Sequence, residues 1–85
     1  MASEREYRIV IEFCVWCDYS PEALSLSQSL LNYFGTEIKE LLLIPTKGGK
    51  FEVTVNGRLL HSKLDTGEFP DTDRLLRTMN EMETL

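Results

Sequence analysis

The sequence has few basic residues and no long apolar run. Its 85 residues include nine Lys and Arg against fourteen Asp and Glu, which gives a formal net charge of -5. Without a basic cluster, we expect neither nucleic acid nor an anionic membrane surface as a partner. No apolar run approaches the ~20 residues of a membrane-spanning helix, and the first residues, MASERE, lack the pattern of a signal peptide. A cytoplasmic location is therefore the simplest expectation.

Cysteine and histidine are scarce as well. The chain holds one histidine, His61, and two cysteines, Cys14 and Cys17, separated by two residues. A structural zinc site needs four ligands and usually a second Cys or His pair, so we expect no metal ion and no cofactor. A disulfide that closes so short a loop would stabilise the fold very little. The pair is therefore a candidate redox centre, with two inert packed cysteines as the alternative.

The composition, 42% hydrophobic and 27% charged, is typical of one small globular domain, which we assign to residues 1–85. Alternation over residues 6–13 predicts a first strand. Ser20 is a plausible N-cap, and Pro21 suits the first position of a helix that ends near Phe34. The residues predicted to form the buried side of this helix are Ala23, Leu24, Leu30, Leu31 and Phe34.

Three further strands and a second helix follow in the pattern. Residues 37–44 contain the run LLLI and predict a buried strand that Pro45 ends. Alternation from Phe51 leads to Asn56-Gly57, the strongest short-range signal for a β-hairpin. After a polar loop over residues 63–70, Asp71 or Thr72 can cap a last helix with Leu75, Leu76, Met79 and Met82 at helical spacing.

The predicted fold class is α/β, in the order βαβββα, with two layers. Short connections make the first two strands parallel, so the four-stranded sheet is mixed. Partial alternation in the strands indicates that only one sheet face is covered, and we expect both helices on that face. The residues expected on the open face are Arg8, Glu12, Glu52 and Thr54.

The cysteine pair lies where the first strand gives way to a helix, the edge at which parallel α/β sheets place their chemistry. A Cys-x-x-Cys pair beside a strand-helix-strand unit is typical of thioredoxin-like redox motifs. By that analogy, Cys14 would attack a substrate disulfide and Cys17 would resolve the mixed disulfide. The intervening Val15 and Trp16 could form a docking surface for a partner, or Trp16 could fold back as a lid over the core edge.

Several motifs together resemble a known family. RIVIEFCVWC and the later run GGKFEVTVNGRLLHSKLDTGEFPDTDRLL are similar to the Rdx family, the selenoprotein W, T and H group, and especially to its small W-like members. The resemblance implies a thioredoxin-like fold. It also makes the chain a cysteine homologue, with Cys17 at the position of selenocysteine. If selenium marks the attacking atom in those relatives, Cys17 would be the more reactive sulfur.

The resemblance and the topology also indicate partners. The loops after the first, second and fourth strands should converge, which would bring Gly49 and Phe69 near Cys14 and Cys17 as contacts for a substrate. The implied function is thiol-disulfide redox chemistry in cell redox homeostasis, as a possible oxidoreductase linked to glutathione, thioredoxin or protein thiols. The alternative is a non-enzymatic redox-sensing interaction module.

Overall fold

A computed structural model describes residues 5–82. The strands are β1 (Tyr7–Cys14), β2 (Ile38–Thr46), β3 (Phe51–Val55) and β4 (Arg58–Ser62). The helices are α1 (Ser20–Phe34), α2 (Lys63–Thr66) and α3 (Thr72–Glu81), and a 3-10 turn, Gly35–Glu37, follows α1. None of these helices is long and apolar enough to cross a membrane.

The sheet has the strand order β2-β1-β3-β4. Strand β1 pairs with β2 in parallel and with β3 antiparallel, and β3 pairs antiparallel with β4. Side chains from one face of β1 and β3 form a single core with α1 and α3. The predicted two-layer α/β fold, with a mixed sheet and both long helices on one face, is confirmed.

The register between β1 and β3 builds the core. Ile9 lies opposite Val55 and Ile11 lies opposite Val53 on the face under the helices, and all four side chains are fully buried. Burying one such aliphatic side chain stabilises a fold by about 1.5–3 kcal/mol. The alternation of residue types along these strands therefore corresponds to the two faces of the sheet, one covered by the helices and one not.

Helix α1 buries three of the five residues predicted for its buried side, Ala23, Leu30 and Phe34. Leu24 and Leu31 are 60% and 47% exposed, so their predicted burial is wrong. The buried residues are Ala23, Leu26, Ser27, Leu30 and Phe34. These positions recur every three or four residues and form one stripe, whereas Leu24 and Leu31 lie beside it. Ser20 is already helical, and the N-cap is Tyr19, without a side-chain hydrogen bond.

Strand β2 is an edge strand and is not buried as predicted. Leu42 is 49% exposed and Ile44 is 38% exposed, because their register partners Val10 and Glu12 lie on the uncovered face. The strand also continues through Pro45 to Thr46. A proline is tolerated there because one side of an edge strand forms no ladder.

The predicted polar loop after β4 begins with the one-turn helix α2. The Ser62 side chain accepts a hydrogen bond from the Asp65 amide at 3.2 Å, and Gly67 ends the turn in the left-handed conformation, with φ of 78°. Glu52 lies against this turn and accepts a hydrogen bond from the Leu64 amide at 3.4 Å. Glu52 is therefore buried, at 7% exposure, and its predicted exposure on the open face is wrong.

The hairpin between β3 and β4 has the predicted turn. Asn56 and Gly57 both have positive φ, 52° and 81°, as a type I′ turn requires. The Asn56 amide oxygen accepts a hydrogen bond from the Arg8 amide at 2.9 Å, and its amide nitrogen donates to the Glu6 carbonyl at 3.1 Å. The turn is thereby tied to the start of β1.

Candidate redox site

Cys14 and Cys17 are joined by a disulfide, with Cα atoms 5.3 Å apart. Cys14 is the last residue of β1. The chain then reverses in a turn closed by a hydrogen bond of 3.0 Å from the Asp18 amide to the Val15 carbonyl. Asp18 has a φ of 64°, a left-handed conformation that Asp adopts more readily than most residues. This turn sets the two sulfurs side by side ahead of α1.

The two cysteines differ in their access to solvent. Cys14 is 1% exposed, because the end of β1 is flanked by β2 and by the loop before β3. Cys17 lies in the turn and is exposed. A partner thiol or disulfide can therefore approach the Cys17 sulfur, whereas the Cys14 sulfur is accessible chiefly to Cys17.

Hydrogen bonds from neighbouring segments hold Cys14 in place. Its amide donates to the Lys50 carbonyl at 2.8 Å, and its carbonyl accepts from the Tyr19 amide at 3.3 Å. The Val15 amide donates to the Thr46 carbonyl at 3.0 Å. Lys50 directly follows Gly49, which has a φ of 81°. The loop that contains Gly49 therefore lies against the cysteine turn.

Trp16 does not fold back over the core. Its side chain is 86% exposed, so the lid interpretation is wrong. Trp16 and Val15 instead form one side of a groove of about 360 Å³, and the end of β2 forms the other side. The groove is lined by Val15, Trp16, Pro45, Thr46 and Lys47. It is apolar beside the disulfide and has one cation at its rim.

Phe69 reaches the same edge of the sheet through aromatic contacts. Its ring lies 4.9 Å from the ring of Tyr19 and 5.1 Å from that of Phe51, both nearly edge-to-face. The Lys63 ammonium lies over the Tyr19 and Phe69 rings at 5.2 and 5.1 Å. Phe69 thus packs against Tyr19, the N-cap residue of α1. Tyr19 in turn donates a backbone hydrogen bond to Cys14, so Phe69 supports the cysteine turn through Tyr19.

Two charged groups on the open face lie close to the site. Lys50 and Glu12 form a partly exposed ion pair with a nitrogen-oxygen distance of 3.7 Å. The segment from Cys14 to Ser20 itself contains no Lys, Arg or His. The loop after β2 supplies Lys47 and Lys50, and the only sequence signal for them was the expected convergence of the loops.

Glu52 has a shifted pKa. Burial by itself raises the pKa of this carboxyl, but hydrogen bonds from the Ser62 side chain and from backbone amides, including that of Leu64, outweigh it. The net result is a pKa below the ordinary value of 4.5. Glu52 is thus held as a carboxylate that fixes the start of α2.

His61 is hydrogen-bonded to the loop after α2 and not to the cysteine turn. Its Nε2 atom donates to the Glu68 carbonyl at 2.7 Å, which ties β4 to the loop after α2. Within residues 5–82, no group of three or more His, Cys, Asp or Glu side chains is arranged to hold a metal ion.

A four-stranded mixed sheet, with two helices on one face and a Cys-x-x-Cys disulfide at the end of the first strand, is typical of proteins with a thioredoxin-like fold. The sequence pattern of the Rdx family matches residues 8–81, and the chain belongs to this family. The Cys14–Cys17 disulfide within that family supports a redox-type function.

Relatives and solved structures agree with this assignment. Migration and invasion enhancer 1 of Bos taurus is 39% identical over 64 residues, which are 74% of this chain and 53% of that protein. The Mus musculus protein of the same name is 38% identical over 63 residues, 73% of this chain and 52% of its own length. The chain thus spans about half the length of the curated relatives that it matches.

Two crystal structures share the fold across most of the chain. A selenoprotein W-related protein from Vibrio cholerae superimposes with a TM-score of 0.85 and 31% identity, over 91% of this chain and 96% of the other. A protein from Bordetella parapertussis gives a TM-score of 0.82 and 32% identity, over 92% of this chain and all of the other.

Proposed function

We propose that the protein is a cytoplasmic thiol-disulfide redox protein that cycles the Cys14–Cys17 disulfide against protein thiols, glutathione or thioredoxin in cell redox homeostasis. The observation that carries this proposal is the pairing of an exposed sulfur with a buried one. Such a pair can take a partner into a mixed disulfide at the outer sulfur and release it through the inner sulfur.

The exposure of the two cysteines favours Cys17 as the sulfur that reacts with the partner. In the reduced protein, the Cys17 thiolate attacks a substrate disulfide and releases one substrate thiolate. The Cys14 thiolate then attacks the Cys17 sulfur and expels the second substrate thiolate. The substrate gains two electrons, and the protein returns to the Cys14–Cys17 disulfide. This order reverses the one expected by thioredoxin analogy and agrees with the selenocysteine position of the family.

The groove beside Trp16 supports a macromolecular partner. An aromatic side chain exposed beside a reactive sulfur can pack on the segment that flanks a partner cysteine. Lys47 at the rim would favour an acidic group on that segment. Val15 and Trp16 are therefore proposed as direct partner contacts. Gly49 and Phe69 are proposed as residues that shape the sheet edge next to the cysteine turn.

A redox titration with thiol trapping tests the proposal. The wild type should show a two-electron transition near cytosolic potentials, about -220 to -320 mV, and Cys14→Ser and Cys17→Ser should abolish it. With oxidised glutathione, Cys14→Ser should form a mixed disulfide at Cys17 much faster than Cys17→Ser forms one at Cys14. Absence of the transition in the wild type would overturn the redox proposal, and equal rates in the two variants would overturn the assigned order.

The second candidate is a redox-sensing interaction module that does not turn over. The 86% exposure of Trp16 favours it, since such a side chain suits a binding surface whose shape depends on the neighbouring disulfide. Steady turnover of a protein disulfide with glutathione or thioredoxin as reductant would favour the enzyme. Binding of a partner by one redox state alone, without turnover, would favour the module.

A further inference from the structure

One buried polar atom at the redox site is unpaired. Thr46 Oγ1 is buried and has no hydrogen-bond partner within residues 5–82. A buried hydroxyl without a partner costs free energy, because it has given up its hydrogen bonds to water. Such a group is explained if another state of the protein supplies the missing partner.

The sheet register places Thr46 next to the residue that carries the buried sulfur. Thr46 is the last residue of β2 and lies directly opposite Cys14 in the parallel pair of β1 and β2. Opposite residues in neighbouring strands project their side chains from the same sheet face, about 4.8 Å apart along the hydrogen-bonding direction. Cys14 is itself 1% exposed, so water does not compete strongly at this position.

The redox state of Cys14 determines whether its sulfur can serve as a partner. In the disulfide, the sulfur is covalently held to Cys17 and is only a weak acceptor. After reduction, it can rotate about χ1 and becomes a thiol or a thiolate. A thiolate accepts a hydrogen bond much more strongly, because the acceptor is charged.

We propose that Thr46 is a positioning residue of the redox reaction, whose hydroxyl hydrogen-bonds the Cys14 sulfur when the disulfide opens. This inference rests on the redox function proposed above. When a partner thiolate attacks the Cys17 sulfur, the Cys14–Cys17 bond breaks and its electron pair leaves on the Cys14 sulfur. The Thr46 O–H then donates to that thiolate. In the reverse step, the same hydrogen bond aims Cys14 at Cys17 in the mixed disulfide.

The pairing has a direct consequence for the redox equilibrium. The reduced form gains a buried hydrogen bond, and the oxidised form retains the unpaired hydroxyl. Both effects favour the reduced form over the disulfide. Removing the hydroxyl should therefore shift the equilibrium toward the oxidised protein.

The experiment compares the thiol-disulfide equilibrium constants of the full chain and its variants in glutathione redox buffers. Thr46→Val keeps the side-chain shape and removes the hydroxyl, whereas Thr46→Ser keeps the hydroxyl. Thr46→Val should favour the disulfide by roughly threefold to tenfold, as for the loss of one hydrogen bond. A tenfold change corresponds to a reduction potential about 30 mV more negative. Thr46→Ser should stay close to the wild type.

Thr54→Val is the matched control, because Thr54 also lies on the open face, opposite Val10 and away from the disulfide. It should leave the equilibrium constant unchanged. The inference is overturned if Thr46→Val titrates like the wild type, or if Thr46→Ser shifts as far as Thr46→Val. A wild type without a reversible disulfide would instead contradict the proposed function, so the two failures are distinguishable.

Discussion

The two ends of β1 are built differently. The hairpin end, residues 5–8, 55–58 and 79–80, is linked by side-chain hydrogen bonds between segments that are far apart in the chain. The Tyr7 hydroxyl donates to the Met79 carbonyl at 2.8 Å, and Arg5 donates to the Asn80 side chain at 2.9 Å. These two contacts join the start of the chain to α3, and the bonds of Asn56 join the hairpin turn to the start of β1.

At the redox end, residues 13–19, 45–52 and 62–69, the side-chain hydrogen bonds are local and lie within residues 62–68 and between Glu52 and Leu64, while the cysteine turn is held by backbone hydrogen bonds. This end contains the unpaired Thr46 hydroxyl, the exposed Trp16 and the left-handed Asp18. Glu52 is its best-satisfied side chain. We expect the long-range bonds of the hairpin end to contribute to stability alone, and the groups around the cysteine turn to act on reactivity, so mutations should separate the two.

The largest expected effect on stability comes from Asn56→Ala at the hairpin end. The variant loses the hydrogen bonds to Arg8 and Glu6 and places a residue with a Cβ and no compensating side chain at a φ of 52°. We expect the free energy of unfolding to fall by about 2 kcal/mol, measured by urea denaturation. The reduction potential should not change.

Asn32→Ala is the control, because Asn32 is exposed on α1 and alanine favours a helix. It should leave stability unchanged or slightly higher. A shift in the reduction potential of Asn56→Ala would show that the two ends are coupled and would contradict their separate roles.

An intermediate effect is expected from Glu52→Gln. The amide keeps an acceptor but loses the stronger hydrogen bonds of a carboxylate, so unfolding should become easier by about 1 kcal/mol at neutral pH. The pKa of Glu52 is below its ordinary value of 4.5. The contribution of its carboxylate to the free energy of unfolding is therefore fully present above the unfolded-state pKa. It is lost as pH falls through the folded-state pKa.

The stability difference between wild type and Glu52→Gln should therefore shrink in acid, which denaturation at a series of pH values would measure. Glu12→Gln is the matched control, because Glu12 lies opposite Glu52 in the register and forms only a partly exposed ion pair. Such pairs contribute little. A pH-independent difference for Glu52→Gln would contradict the assigned role of its charge.

The smallest effect on stability is expected from Trp16→Ala. Because the side chain is 86% exposed, the free energy of unfolding should change by less than about 0.5 kcal/mol. Reduction of a protein disulfide should nevertheless slow, since the groove loses one side, whereas reaction with glutathione should be nearly unaffected. Tyr33→Ala, which removes another exposed aromatic side chain, should affect neither rate. Equal slowing with both substrates would contradict a docking role.

The order of elements, the parallel start of the sheet and the hairpin turn could all be predicted from the sequence. Each depends on local patterns: alternation, a Ser-Pro helix start and the Asn56-Gly57 dipeptide. The one-turn helix α2 was missed although Ser62, Asp65 and Gly67 carry its capping signals. Four residues are too few to show a periodic pattern, so only the caps could have revealed it.

Two positions on α1 and the exposure of β2 were predicted wrongly for a different reason. Leu24, Leu31, Leu42 and Ile44 are apolar, and apolar character alone favoured burial. Their exposure depends on which helical stripe meets the sheet and which strand lies at its edge. Those choices come from packing between distant segments, and no local pattern encodes them.

The sequence by itself determined that a disulfide is possible, because two cysteines at this spacing after a strand can meet in a turn. The tertiary structure decided which cysteine faces solvent, since Cys14 is covered by β2 and by the loop before β3, and Cys17 is not. It also placed Thr46 opposite Cys14. The two residues are far apart in the chain and become neighbours only because parallel strands bring their carboxyl ends to the same edge of a sheet.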